Sequence, residues 1–300
     1  MENNAEEYIS DYQENFKMAG INKKAGIINN KLFFIELIRP FVFVPPVRGL
    51  FEQGRFVQYG LDSLTSVESL IDFIRSSPGV VMKPIEGDGG EGIIKVYCSN
   101  EYFIWNNESL MLLELNKRLS VLDHYFISDI VTQHAYSSSL YNDSVNTVRI
   151  LTMIDAVDGN PFIAAAAHRI GNSRSKPVDN CAKGGLTANI NIETGALGSA
   201  VRTYFSGEKP TWYTHHPDTN CKIEGLIIPN WSRIKETILQ LALNFSFNPY
   251  IAWDIVVLPN GKITILEAND GADLKLHQVH QPLLANERVK NFYKHYKVIP

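Results

Sequence analysis

Hydrophobic and polar positions change rhythm near residue 79. Before it, apolar Val67, Leu70, Ile71 and Ile74 recur at helical spacing behind a polar start, which predicts a helix from about Ser66 to Ser76. The rest of residues 1–76 reads as mostly helical, with a loop around Pro45 to Gly54. From Gly79 short β-rich runs take over: "GVVMKP", "GIIKVY", "HYFISDIV", "SVNTVRILTMI", "FIAAAAHRI", "GLTANINI", "AWDIVVL" and "KITILEA". Helical stretches interrupt them at "NESLMLLELNKRLS" and "SRIKETILQLALNF". The pattern is α+β with much antiparallel pairing, not a regular βαβ alternation. The region from Ser76 to Gly79 marks the expected boundary between a helical part, 1–76, and the main domain, 77–300.

Composition narrows the class. At 300 residues, 45% hydrophobic and 20% charged, the chain is globular with one or two domains and an ample core. A net charge of -4 supplies no domain-wide basic field, which argues against nucleic acid as the main partner. Cys98, Cys181 and Cys221 lie far apart and form no CxxC pair, which suits a reducing compartment and gives no disulfide framework. The start, "MENNAEEYISDYQENF", is acidic where a signal peptide is basic and then apolar. "FVFVPPV" is cut by Pro45 and Pro46, and no apolar run reaches membrane-span length. These features predict a cytoplasmic protein.

The stretch "VVMKPIEGDGGEGIIKVY" carries the first candidate chemistry. Gly87, Gly89 and Gly92 satisfy G-x-G-x-x-G, a weak signal by itself. A Rossmann fingerprint needs a helix directly afterwards, but β-branched "IIKVY" follows, so the loop reads as a hairpin tip. A P-loop fails because Ile93 follows Gly92. A kinase glycine loop fails because Lys83 precedes it, and no H-R-D or D-F-G motif occurs. A flexible hairpin with a surface lysine would give the same letters.

The second candidate is "IAWDIVVLPNGKITILEAND". Asn260-Gly261 is a strong hairpin signal, a two-residue turn in which both residues take positive φ. That register sets Asp254 directly across from Glu267, with Asn269 two residues on and on the same face. Opposed carboxylates repel, and apolar neighbours screen the repulsion poorly. A hard divalent cation relieves it, and three oxygen-bearing side chains on one face suit magnesium shared with phosphates. A three-residue turn would shift the register and break the opposition. On this reading, Asp254→Asn or Glu267→Gln abolishes turnover while leaving the fold intact, or more stable with the opposed charges gone.

Together with "FISDIVTQHA", "SVNTVRI", "AAAAHRIG", "VDNCAKGG" and "HHPDTN", these stretches resemble an ATP-grasp protein. More narrowly, they resemble the sugar-transfer associated ATP-grasp family, which is related to α-L-glutamate-ligase-like proteins. The resemblance runs from about Asn30 to Gln281. It implies two α+β lobes with largely antiparallel sheets clamping the nucleotide: a glycine-loop lobe, 77–134, and a metal-binding lobe, 135–300. It also implies ATP and Mg2+ as cofactors. Lys83 would contact the α and β phosphates, and the loop carrying Gly87, Gly89, Gly90 and Gly92 would close over the β and γ phosphates. Asp129 and Gln133 would form the adenine and ribose edge. Asp254, Glu267 and Asn269 would bind the metal, and Arg149, Arg169 and Asn180 would line the transfer face. Glu91 departs from the basic residue many relatives carry in the loop, and the N-terminal portion is short for a substrate lobe.

Plainer roles exist for several of these residues. Arg149 and Arg169 could be ordinary charges on strands, and Asn180 beside Asp179 a turn pair. His168, His215 and His216 lack metal-ligand spacing and read as core or surface residues; Lys31 fits a helix-start position or a solvated charge. The functional expectation is an ATP- and magnesium-dependent carboxylate–amine ligase working through an acyl phosphate in cell-surface polysaccharide synthesis. Its partners would be small-molecule acids, amines or sugars. A hydroxyl-phosphorylating kinase and a non-catalytic nucleotide-binding component are the alternatives.

Overall fold

A computed structural model describes residues 5–60, 63–87, 89–203 and 209–300. The chain forms two compact units, one of Asn30–Glu36 and Val44–Thr132, the other of Met1–Asn29, Leu37–Phe43 and Gln133–Pro300.

The smaller, glycine-loop unit is built on β1 (Val47–Glu52), β2 (Arg55–Val57), β3 (Val80–Pro84), β4 (Ile94–Ser99), β5 (Tyr102–Trp105), β6 (Glu108–Leu110) and β7 (Tyr125–Asp129). Their order is β2-β1-β7-β3-β4-β5-β6, antiparallel throughout. Alternation puts Val80, Met82, Val96 and Ile127 on one face, where Leu70, Ile71, Ile74, Leu115 and Leu119 from two helices cover them. The helix Val67–Ser76 starts as its sequence predicts. Ser66 Oγ accepts from the Ser69 amide at 3.2 Å, and Ser69 Oγ accepts from the Ser66 amide at 3.0 Å. The loop expected around Pro45 to Gly54 is corrected: β1 occupies most of it. Gln53-Gly54, with φ of 51° and 71°, is a two-residue turn into β2. The helix expected to span "NESLMLLELNKRLS" is shorter, Leu112–Leu119, because Glu108–Leu110 pairs with β5.

The larger unit holds β8 (Val148–Ile154), β9 (Pro161–Ile170), β10 (Leu186–Ile190), β11 (Leu197–Arg202), β12 (Thr211–Tyr213), β13 (Tyr250–Val257) and β14 (Ile263–Asn269). The order is β12-β11-β10-β9-β8-β13-β14, again antiparallel. Every residue of β13 is buried. Along one face, Leu151, Met153, Tyr250 and Ala252 pack with Val289, Phe292 and Tyr293 of the helix Glu287–His295. Arg149 and Asp254 lie on that same face, farther along the strands.

The β13–β14 turn differs from expectation. Leu258 N donates to Lys262 O and Gly261 N to Leu258 O, both at 2.8 Å, which closes a three-residue loop in which Gly261 alone takes positive φ, +74°. Val257 therefore pairs with Ile263, and Ile255 with Ile265. That register would carry Glu267 to the far face. A β-bulge at Leu266 inserts one extra residue, and beyond it Asp254 pairs with Glu267.

Candidate active site

The centre of the larger sheet carries a row of charge. Glu267 on β14 faces Asp254 on β13, which faces Arg149 on β8, which faces Ala167 on β9. Two residues beyond Ala167, on the same face, is Arg169. Arg149 grips Asp254 with both edges matched: Nε donates to Oδ1 and Nη2 to Oδ2, each at 2.7 Å. Arg169 Nη1 donates to Asp254 Oδ2 at 2.9 Å, and its Nη2 donates to Asp179 Oδ1 at 2.9 Å. Asp179 Oδ2 accepts from the Thr147 amide at 2.8 Å and the Thr147 hydroxyl at 2.5 Å.

Three carboxylates thus stand against two guanidiniums, one negative charge in excess. Burial alone would push the Asp254 carboxyl up, since its side chain is 3% exposed. Arg149, and after it Arg169, more than offset this and hold it well below the usual carboxylate range. Burial likewise opposes the charge on both arginines; Asp254 for Arg149, and Asp179 then Asp254 for Arg169, raise them nonetheless. The repulsion between Asp254 and Glu267, which looked unscreened in the sequence, is met first by these arginines. Glu267 is more open, its side chain 26% exposed, with Arg149 Nη2 4.0 Å away. Asn269 Nδ2 donates to Glu267 Oε1 at 3.4 Å.

In the glycine-loop unit, β3 and β4 pair as a hairpin whose tip carries the glycines. Gly87, Gly89, Gly90 and Gly92 all take positive φ, between 64° and 114°, as a loop wrapping close to a ligand requires. A Cβ on Gly92 would fall 2.8 Å from the Tyr125 hydroxyl and 2.9 Å from Pro84 Cγ. Asp88 lies outside the described residues, and Glu91 is exposed. Lys83 sits on β3 just before the loop, and Lys31, the first residue of the helix Lys31–Ile38, donates through Nζ to the Gly87 carbonyl.

Three expected residues have partners within their own units. Asp129 pairs with Val80, which puts it on the sheet face opposite Lys83. There Arg48 holds its carboxylate through two 2.7 Å bonds while stacking over the Phe73 ring. Gln133 is buried and bonded within its own unit. Its Nε2 donates to the Tyr141 and Ser144 carbonyls, and its Oε1 accepts from the Ser137 hydroxyl and the Asn146 amide, which fills the side chain's capacity. Asn180 Oδ1 accepts from Ala182 N at 2.8 Å and caps a short 3-10 turn. Its neighbour Asp179 is the residue that joins the charge network, and only its place beside a singled-out asparagine pointed to it. His168 and His216 are buried and bonded to backbone carbonyls, and His215 is exposed, as expected of core and surface histidines.

Two antiparallel sheets, one with a lysine and glycine hairpin and the other with this acid–arginine row, define an ATP-grasp protein. The chain belongs to the sugar-transfer associated ATP-grasp family, whose profile matches residues 9–294. No curated protein matches the sequence. Among solved structures, it is similar to a biotin carboxylase–β,γ-ATP complex from Campylobacter jejuni, with a TM-score of 0.50 and 11% identity over 92% of this chain and 47% of that one. It is also similar to the ADP complex of the N5-carboxyaminoimidazole ribonucleotide synthetase PurK, with a TM-score of 0.46 and 12% identity over 82% and 45%. A third is the D-Ala:D-Ser ligase VanG from Enterococcus faecalis, with a TM-score of 0.46 and 10% identity over 90% and 62%. The chain spans between about half and two thirds of the length of these three proteins. At such identities the likeness concerns the fold.

Proposed function

We propose that the protein is an ATP- and magnesium-dependent ligase that activates a carboxylate as an acyl phosphate and passes the acyl group to an amine or similar nucleophile. We place this reaction in the synthesis of cell-surface polysaccharide or a related glycoconjugate. The observation that carries the reading is the row Glu267–Asp254–Arg149 with Arg169 beside it, on one face of one sheet. Membership of the family supports it and is the basis for the pathway. Among the described residues no helix is long and apolar enough to cross a membrane.

The donor set fits magnesium. Glu267 and Asn269 are half-buried neighbours with oxygen ligands, and Asp254, with three of its lone-pair positions taken by guanidinium N–H groups, anchors the row electrostatically. A bound magnesium ion would neutralise phosphate oxygens during transfer. Arg149 and Arg169 keep Asp254 ionised and oriented, and Asp179 fixes the orientation of Arg169. Lys83 and the amides of the glycine hairpin would hold the phosphates of ATP, with Lys31 restraining the hairpin at Gly87. The two compact units correspond, in this reading, to the glycine-loop and metal-binding lobes.

The test is a screen for acid-dependent ADP release from magnesium-ATP, with hydroxylamine present to capture acyl phosphate. A ligase yields hydroxamate. A phosphorylated hydroxyl product with no amine dependence would replace this reading with a kinase. Magnesium-ATP binding with no ADP release across the panel would replace it with a nucleotide-binding component.

A further inference from the structure

Buried polar side-chain atoms without a hydrogen-bond partner gather around one residue of the larger unit, Thr187. They include Arg169 Nε, Thr203 Oγ1, both ring nitrogens of His277 and Nε2 of His280. The sheet explains the gathering. Thr187 pairs with Arg169 on one side and with Val201 on the other, and Thr203 directly follows the end of β11, two residues past Val201. The Thr187 hydroxyl donates to the carbonyl of Leu276, the residue before His277, at 3.3 Å. The backbone of Thr187 also bonds the His280 ring. Trp212, across from Val201, is 52% exposed and meets the His280 ring edge-on at 5.5 Å. His277 lies close enough to Arg149 and Asp254 to feel both charges.

Folding does not normally leave such groups unpaired, because each loses its water without gaining a partner. Their chemistry indicates what would pair with them. Burial pushes the His277 imidazole down to about 3 and the His280 imidazole to about 4, so both are neutral near pH 7. A neutral imidazole offers one N–H and one lone pair, and a threonine hydroxyl offers both as well. Arg169 already faces two carboxylates, which leaves its Nε a directional donor more than an uncompensated charge. Paired donors and acceptors without net charge match hydroxyl groups, and the open indole of Trp212 suits the C–H face of a ring.

We infer that His277, His280, Thr203 and Arg169 Nε, with Trp212 at the edge, form a subsite for the uncharged, polyhydroxylated portion of the acceptor substrate. The subsite adjoins the charge row, and the inference rests on the ligase reading of that row.

The experiment compares magnesium-ATP turnover with matched acceptors, uronic and aldonic acids against straight-chain acids of equal length, with neutral hexoses added to detect transfer to a hydroxyl. The wild type is expected to prefer the hydroxylated members by about tenfold or more in kcat/KM. That preference should collapse toward unity in Thr203→Val and His280→Gln, two variants of near-native shape whose folding is checked by thermal melting. Equal turnover of hydroxylated and plain acids would overturn the subsite while leaving the ligase reading intact, and so would a preference that survives both substitutions. Magnesium-ATP binding with no response to any member of the panel also overturns it and leaves these atoms to buried water. No binding of magnesium-ATP would overturn the ligase reading, and the subsite with it.

Discussion

Asp254 and Glu267 face each other across one pair of strands, yet the structure gives them different burdens. Asp254 compensates two buried guanidiniums, so Asp254→Asn leaves positive charge without a partner and should cost about 3–5 kcal/mol of stability. The tolerance of this substitution expected from the sequence is therefore reversed. Glu267 is more exposed and makes no comparably tight pair with Arg149, so Glu267→Gln should melt close to wild type while losing magnesium-dependent activity. Chemical denaturation of the two variants side by side distinguishes these outcomes. Asp179→Asn removes one of the two charged partners of Arg169 and should cost about 1.5–3 kcal/mol by the same measurement. The acids and arginines were legible as residue types; their pairing was not. A strand pattern tells which face a charge occupies, but not which opposite charge reaches it. For the same reason the interior bonds of Asp179 and Gln133 were not legible: three of the four groups that saturate Gln133 come from residues 141–146, a loop whose path no periodicity reveals, and the fourth is the Ser137 hydroxyl on the short helix Ala135–Leu140.

The strands and helices with strong periodicity were readable, among them the hairpin that carries the glycines and the one that carries the acids. Weakly patterned strands were not. β1 hides behind Pro45-Pro46 and in front of Gly54, and β2, β6 and β12 are three residues long, too short to show a period. In the acidic hairpin two departures from regular pairing cancel. The turn holds one residue more than the Asn-Gly signal implies, and the bulge at Leu266 restores the opposition of Asp254 and Glu267. Gly261 fixes that turn, since a Cβ there would sit 2.2 Å from Asn230 Nδ2 with φ at +74°. Gly261→Ala should lower stability by about 1–2 kcal/mol, as read by thermal melting, from left-handed backbone strain alone. In the other unit, Gly92→Ala should weaken ATP-analogue binding in calorimetry, because the loop must shift away from Tyr125 and Pro84.

Across the whole molecule, charge and burial combine in the response to pH. His168, His277 and His280 are buried neutral, lowered by desolvation to about 4, 3 and 4 from an ordinary 6.5. The unfolded chain binds protons below about pH 6.5 that the folded chain refuses, so stability is highest above that value and falls as pH drops toward 4. Each histidine contributes a slope of about 1.4 kcal/mol per pH unit inside its window. Urea unfolding between pH 7 and 4.5 should show this fall, and His277→Gln should remove about one proton from the slope. Asp254 acts only at stronger acidity, since its stabilising charge persists until pH falls through its own depressed pKa. The claim on which the account turns is that Glu267 helps hold magnesium for a bound nucleotide. Calorimetric titration of a non-hydrolysable ATP analogue, with and without magnesium, into wild type and Glu267→Gln tests it without needing the acceptor. The account predicts that magnesium tightens binding to the wild type and that the gain disappears in the variant. An equal magnesium-dependent gain in both proteins would contradict it.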